Sequence, residues 1–104
     1  MLQASLGTFE QAVWCKVLRD RGWTGARIGA ALGRSEGYVN NLVRIVEHVS
    51  VVVLERWRDE QAGRTAVIVC ATDWLAGVCR LEAARQDELL AERIARWEQR
   101  TIAG

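Results

Sequence analysis

The stretch that most constrains this chain is Thr24 to Arg44, TGARIGAALGRSEGYVNNLVR. Two short amphipathic patterns lie on either side of a glycine. Ile28 and Leu32 form the apolar edge of the first, Val39 and Leu42 that of the second. Two short helices that cross closely need a small residue near the middle of the first, and Gly29 is there. A sharp turn between them needs a positive φ, and Gly33 is there. The spacing predicts a helix-turn-helix. Thr24 caps a helix that runs to Leu32, and Ser35 caps a second from Glu36 to about Val49.

At about a hundred degrees per residue the second of these helices divides cleanly. Val39, Leu42, Val43 and Val46 point to one side, with Tyr38, Ile45 and Val49 beside them. Gly37, Asn40, Asn41, Arg44 and His48 point to the other. Asparagine can pair bidentately with adenine and arginine with guanine. A glycine on this side would let the helix backbone approach a duplex closely. The competing reading is a plain solvated face. Such a face usually mixes Glu and Lys throughout, whereas here the acids Glu36 and Glu47 lie along one margin. Two adjacent asparagines are also poor helix formers, so something besides helix propensity places them. His48 on this stripe is expected to meet phosphate or solvent.

Charge is distributed accordingly. The chain as a whole carries a net charge of +1, which neither demands nor excludes an anionic partner. From Arg21 to Arg44 there are four arginines, Arg21, Arg27, Arg34 and Arg44, against one acid, Glu36; including Glu47 lowers the local excess from +3 to +2. From Val51 onward eight basic and nine acidic residues give −1. The positive end therefore coincides with the polar stripe. All but one of the basic residues are arginine. That suits phosphate contacts, and a GC-rich genome would produce the same bias.

The flanking sequence reads as helices. The first is expected from Phe9 to about Arg21, with Thr8 as N-cap and Gln11 at the reciprocal position. Its buried face is expected at Phe9, Val13 and Val17, with Trp14 and Leu18 beside them and Cys15 on the outer side. Gly22 ends it. Ser50 to about Gln61 buries Val53, Leu54 and Trp57. Residues 62–71, with the apolar run Ala66–Ala71, fit either a buried extended link or the start of the next helix. A short helix follows from Thr72 to about Arg80. The last, about Glu82 to Arg100, carries a stripe of Ala83, Gln86, Leu90, Ile94 and Trp97, and Glu92 is spaced to pair with Arg96. Trp14, Trp57, Trp74 and Trp97 fall on apolar faces and serve a core or a subunit interface.

The chain has no proline in its 104 residues, so no ring interrupts these helices. The expectation is an all-α fold: one helical domain over 1–104 of about five to six helices, with the helix-turn-helix at 24–46 and a C-terminal helical part at 72–101. No apolar run is long enough to cross a membrane. The start, Met1 to Phe9, lacks a secretory pattern, so a cytoplasmic location is expected. Cys15, Cys70 and Cys79 form no CxxC pair, and His48 is the single histidine. Reduced, partly buried thiols are expected, with no metal and no cofactor.

The segment LRDRGWTGARIGAALGRSEGYVNNLVRIVEHVSVVVLERW resembles the helix-turn-helix domain of ParB and KorB plasmid and chromosome partition proteins. The parallels are Leu18-x-x-x-Gly22-Trp23-Thr24, Ile28-Gly29-x-x-Leu32-Gly33-Arg34-Ser35 and Tyr38-Val39-x-Asn41-Leu42. Val51-x-x-Leu54-x-x-Trp57 resembles the segment after the recognition helix, and the resemblance extends over roughly 16 to 97. It implies sequence-specific binding of an inverted repeat in double-stranded DNA, with the second helix in the major groove. Ser35, Glu36, Gly37, Tyr38, Asn40, Asn41 and Arg44 become contact candidates by position. Thr24, Gly25 and Arg27 become candidates on the phosphate side, at a helix N-terminus. Arg34 in the turn and His48 complete the set. The family's nucleotide-binding domain and C-terminal dimerisation domain have no counterpart in the quoted residues, so CTP hydrolysis and clamp sliding do not carry over.

Catalytic constellations are lacking. The glycines punctuate helices, and no GK[ST] phosphate loop follows them. The acid pairs Asp59–Glu60 and Asp87–Glu88 read as helix exteriors rather than as a general acid and base. The expectation is a non-enzymatic, homodimeric DNA-binding protein with no small-molecule substrate. It would serve as a small transcriptional regulator or a plasmid or phage partition or replication accessory factor. The last helix either packs the dimer or closes the core. The alternative is a protein-interaction adaptor or inhibitor that has the helix-turn-helix shape but no DNA binding.

Overall fold

The structure, a computed structural model, describes residues 6–103. It is all-α among those residues, with six helices: α1 Thr8–Asp20, α2 Gly25–Leu32, α3 Glu36–His48, α4 Val51–Gln61, α5 Thr72–Val78 and α6 Ala83–Ala103. None of them is long and apolar enough to cross a membrane. They group into two compact units, one ending at His48 and the other beginning at Val49.

In the first unit α3 packs against both α1 and α2. The local signals between these helices act as the sequence predicts. Gly22 takes φ 93° after α1, and the Trp23 amide donates back to the Leu18 carbonyl at 3.0 Å. Thr24 Oγ1 accepts from the Arg27 amide at 3.1 Å. Gly33 sits at φ 71°, ψ 34°. Ser35 Oγ accepts from the Tyr38 amide at 3.1 Å. Cys15, Ile28, Val39, Leu42 and Ile45 are fully buried.

Two expectations for α1 are corrected. The N-cap is Gly7, not Thr8, and it makes no side-chain cap bond. Gln11 is buried and works elsewhere: its Nε2 donates to the Leu6 carbonyl at 2.8 Å, and its Oε1 accepts from the Tyr38 hydroxyl at 2.7 Å. The buried face is Gln11, Ala12, Cys15 and Leu18, whereas Val13, Trp14 and Val17 lie partly exposed. Cys15 is thus inside, not on the outer side. The reason is steric. Helix axes approach more closely when the residues between them are small, and Ala12 and Cys15 supply that on the side facing α3.

In the second unit Ser50 caps α4, its Oγ accepting from the Val53 amide at 3.1 Å. The Ser50 amide donates to Gln86 Oε1 at 2.7 Å and its hydroxyl to Asp87 Oδ1 at 2.6 Å, which ties the start of α4 to α6. Val53 and Trp57 are buried as expected. Gly63 takes φ 74° after α4. Residues 64–71 form an irregular link without helix or strand, and Val69 and Cys70 in it are buried. A buried link must place its amides, and α4 provides the partner. The Glu60 carboxylate accepts from the amides of Val69 and Cys70 and from Arg56 Nε, all at 2.9 Å. Reading Asp59–Glu60 as a helix exterior therefore fails at Glu60, which is 6% exposed. Arg56 also donates to the Val67 carbonyl and Arg93 to that of Val69. On α6, Gln86 and Leu90 face inward, while Trp97 is 42% exposed. The ion pair on this helix is Arg85–Glu88 at 3.1 Å; Glu92–Arg96 is not among the ion pairs of the described residues.

None of the three cysteines forms a disulfide among the described residues, and all are buried. Burial raises the Cys15 thiol pKa against the pull of Arg19. Burial, then the Glu60 carboxylate, pushes the Cys70 thiol up to about 12 from an ordinary 9.0. Only the thiolate reacts. A pulse of iodoacetamide at pH 8 is therefore expected to leave Cys15 and Cys70 unmodified in the folded chain, and to label both in urea, as read by mass spectrometry. The native pKa of Cys70 lies above its unfolded value, so its contribution to stability is complete below about pH 9. It fades as pH rises through the window up to about 12. Rapid labelling of Cys70 in the folded chain would contradict this burial.

Candidate nucleic-acid interface

The residues singled out in the sequence converge on the first unit. Glu36, Gly37, Asn40 and His48 are exposed on α3; Tyr38, Asn41 and Arg44 are half-buried. Thr24 and Arg27, at the start of α2, and Arg34 and Ser35, in the turn, are exposed as well. The polar stripe of α3 therefore stands at the surface, on a helix whose opposite side is fixed by Val39, Leu42, Val43 and Ile45.

The side chains on this surface are already held in place. Arg44 Nη2 donates to Asn41 Oδ1 at 2.8 Å, which joins a guanidinium and an amide one helical turn apart. Asn40 Oδ1 accepts from Arg19 Nη2 of α1. Bidentate pairing to adenine uses both the oxygen and the nitrogen of an asparagine amide. The bond from Arg19 occupies one of the two lone pairs of Asn40 Oδ1 and orients the amide. Arg34 lies 4.9 Å over the Tyr38 ring and Arg27 3.7 Å over the Trp23 ring, so each guanidinium is oriented by an aromatic face. Tyr38 spends its hydroxyl on Gln11 and works as a clamp between α1 and α3. Lys16 holds Asp20 at 2.8 Å and Glu47 at 2.9 Å. These two carboxylates, Asp20's foremost, raise the Lys16 pKa and keep it charged. Lys16 thereby offsets the acid Glu47 on the margin of the stripe.

The glycines sort by what surrounds them. A Cβ on Gly25 would lie 2.7 Å from Asn40 Oδ1 and 3.1 Å from Arg19 Nη2, so this residue lets α2 start against α3. Gly37 is different: a Cβ there would meet only Ser35 Oγ, at 4.0 Å. Nothing in the protein requires glycine at that position, and glycine in a helix costs roughly 0.5–1 kcal/mol relative to alanine.

Arg19 was not legible as part of this surface. It lies outside the helix-turn-helix segment, and its Nε is buried without a hydrogen-bond partner. A second basic feature also escaped the sequence reading. Arg93, Arg96, Trp97 and Arg100 line a groove of about 300 Å³ on α6. Of these, Arg100 lies in the last turn of α6, where a cation complements the helix dipole. Among the described residues no group of His, Cys, Asp and Glu is arranged to hold a metal ion. Comparison with models of known protein families, with curated proteins and with solved structures finds no match.

Proposed function

We propose that the first unit binds double-stranded DNA through the exposed face of α3, in the manner implied by its resemblance to ParB/KorB-type helix-turn-helix domains. In this reading the protein is a non-enzymatic, homodimeric regulator, or a partition or replication accessory factor, that acts on an inverted repeat in the cytoplasm without a cofactor. The observation that carries the reading is the polar row of α3, with Gly37 and Asn40 exposed and Asn41 and Arg44 half-buried, on a helix whose other side is core. Gly37 supports it because the missing side chain leaves the helix backbone open to close approach from outside. Thr24, Arg27, Arg34, Ser35, Glu36 and His48 would flank the duplex. Tyr38 would contribute mainly by orienting Arg34.

The test is a polarisation titration with random duplex at low and moderate salt, followed by selection of bound sequences from the pool. A reader of DNA binds, and its affinity falls steeply as salt rises, because phosphate neutralisation releases counterions. On the selected site, Arg44→Ala and Asn41→Ala are each expected to weaken binding by about 5- to 150-fold, the range of one bidentate base contact. The thermal midpoint should hardly move. Full affinity retained by Arg44→Ala would remove the stripe from consideration. The second reading, an adaptor or inhibitor without DNA binding, is favoured by the partly exposed Val13, Trp14 and Val17. It predicts no duplex binding even at low salt.

A further inference from the structure

The outer face of α1 has no role in the first unit's core, yet it is ordered in type and spacing. Glu10, Trp14 and Val17 on α1 and Arg21, its C-terminal cap, follow one another at intervals of four, three and four residues. These are the intervals at which side chains line a helix–helix seam. Val13 flanks the row. Trp14 is 39% exposed, Val17 43% and Val13 38%. The face lies on the side of α1 away from Ala12, Cys15 and Leu18, which pack inward. Glu10 and Arg21 are exposed, and neither takes part in an ion pair among the described residues.

We infer that this face pairs with the same face of a second copy of the chain, antiparallel, as the interface of the homodimer. The inference rests on the homodimeric part of the proposed function and not on DNA binding. The arrangement of the row carries it. The midpoint of Glu10 and Arg21 and the midpoint of Trp14 and Val17 both fall between Cys15 and Lys16. A two-fold axis through that point sets Glu10 against the partner's Arg21, and Trp14 against the partner's Val17. The second half of the contact repeats the first in reverse, as an isologous interface requires. A large ring meets a small branched side chain twice, with an opposite-charge pair at each end. Parallel pairing would instead place Glu10 on Glu10 and Arg21 on Arg21. Charge therefore selects the antiparallel orientation. The seam leaves the polar stripe of α3 uncovered.

The last helix offers a poorer match: Leu90 is committed to its own unit's interior, and Arg93, Arg96 and Arg100 share a groove that would bring like charges together. Two helices of thirteen residues, each about 20 Å long, form a small contact. The dimer is thus expected to be weak and concentration-dependent, below the strength of a standard interface.

The experiment is sedimentation equilibrium of the full chain over a wide concentration range, with circular dichroism to verify that each variant folds. Wild type is expected to dimerise. Glu10→Arg, which sets like charges face to face at both ends, is expected to weaken the dimer about tenfold or more, and so is Arg21→Glu. The double variant Glu10→Arg/Arg21→Glu should regain dimerisation to within about threefold, because the pairs are restored with reversed sense. Trp14→Glu should abolish it. A dimer unaffected by the single reversals, or not rescued by the double one, overturns this seam while leaving the homodimer intact. A wild-type chain monomeric at every concentration overturns both. Duplex titration of the same samples reports on DNA binding separately.

Discussion

Glu60→Ala is expected to cost about 3–5 kcal/mol, the range for removing one partner of a buried, hydrogen-bonded charge pair. Small domains are stable by only about 5–15 kcal/mol in total, so the loss should be visible as a large drop in the urea midpoint followed by helicity. The cause is specific. Glu60 is 6% exposed, and its two carboxylate oxygens take the amides of Val69 and Cys70 along with Arg56 Nε. Alanine leaves two buried amides without acceptors and a partly buried guanidinium without its counter-charge. Each unsatisfied amide alone costs about 1–3 kcal/mol. Glu60→Gln keeps one carbonyl oxygen but turns an N–H donor toward a group that also donates, so it should fall between alanine and wild type. A Glu60→Ala variant within about 1 kcal/mol of wild type would show that water, and not this carboxylate, satisfies the link.

Gly29→Leu is the second change with a large expected effect. A Cβ on Gly29 would lie 2.6 Å from the Arg34 carbonyl oxygen and 3.3 Å from that of Ser35. These are backbone atoms, and the turn that holds them is locked. Gly33 is left-handed, and the Arg34 amide donates to the Gly29 carbonyl itself at 2.8 Å. The helices must part or the turn must break. Overpacking of ordinary side chains costs about 1–3 kcal/mol, and backbone against backbone should exceed that. Loss of the cooperative thermal transition is expected. Gly37→Ala is the matched control: it gains helix propensity in open space, so its midpoint should hold or rise. An unaltered midpoint in Gly29→Leu would mean that α2 and α3 do not cross as described.

The residues behind these two results differ in how far they could be read in advance. Gly29 was legible because its constraint comes from neighbours five and six positions along the chain, within one recurring motif. The same holds for the caps Thr24, Ser35 and Ser50 and for the left-handed Gly22 and Gly33: a cap or a turn is satisfied by residues within a few positions. Glu60 was not legible. It looks like any acid on a helix exterior until the path of residues 64–71 brings two amides onto it. The polar row of α3 could be read from periodicity, whereas Arg19, reaching it from α1, could not. Gly7 and not Thr8 caps α1, and Gln11 links Leu6 and Tyr38, partners that only the folded chain brings to it.

The amino-acid order by itself determined the helical class, the caps of α2, α3 and α4, the left-handed turn and the division of α3 into a greasy and a polar side, since all of these follow from short-range sterics and hydrogen bonding. Only the tertiary structure decided which side of α1 is buried. Two stripes compete on that helix, and the one with more apolar surface lost to the one with smaller side chains, because close approach of α3 depends on volume as well as on hydrophobicity. It also decided the partners of Glu60, Arg19 and Asn40, whose charges and amides acquire meaning only when distant stretches of chain arrive beside them.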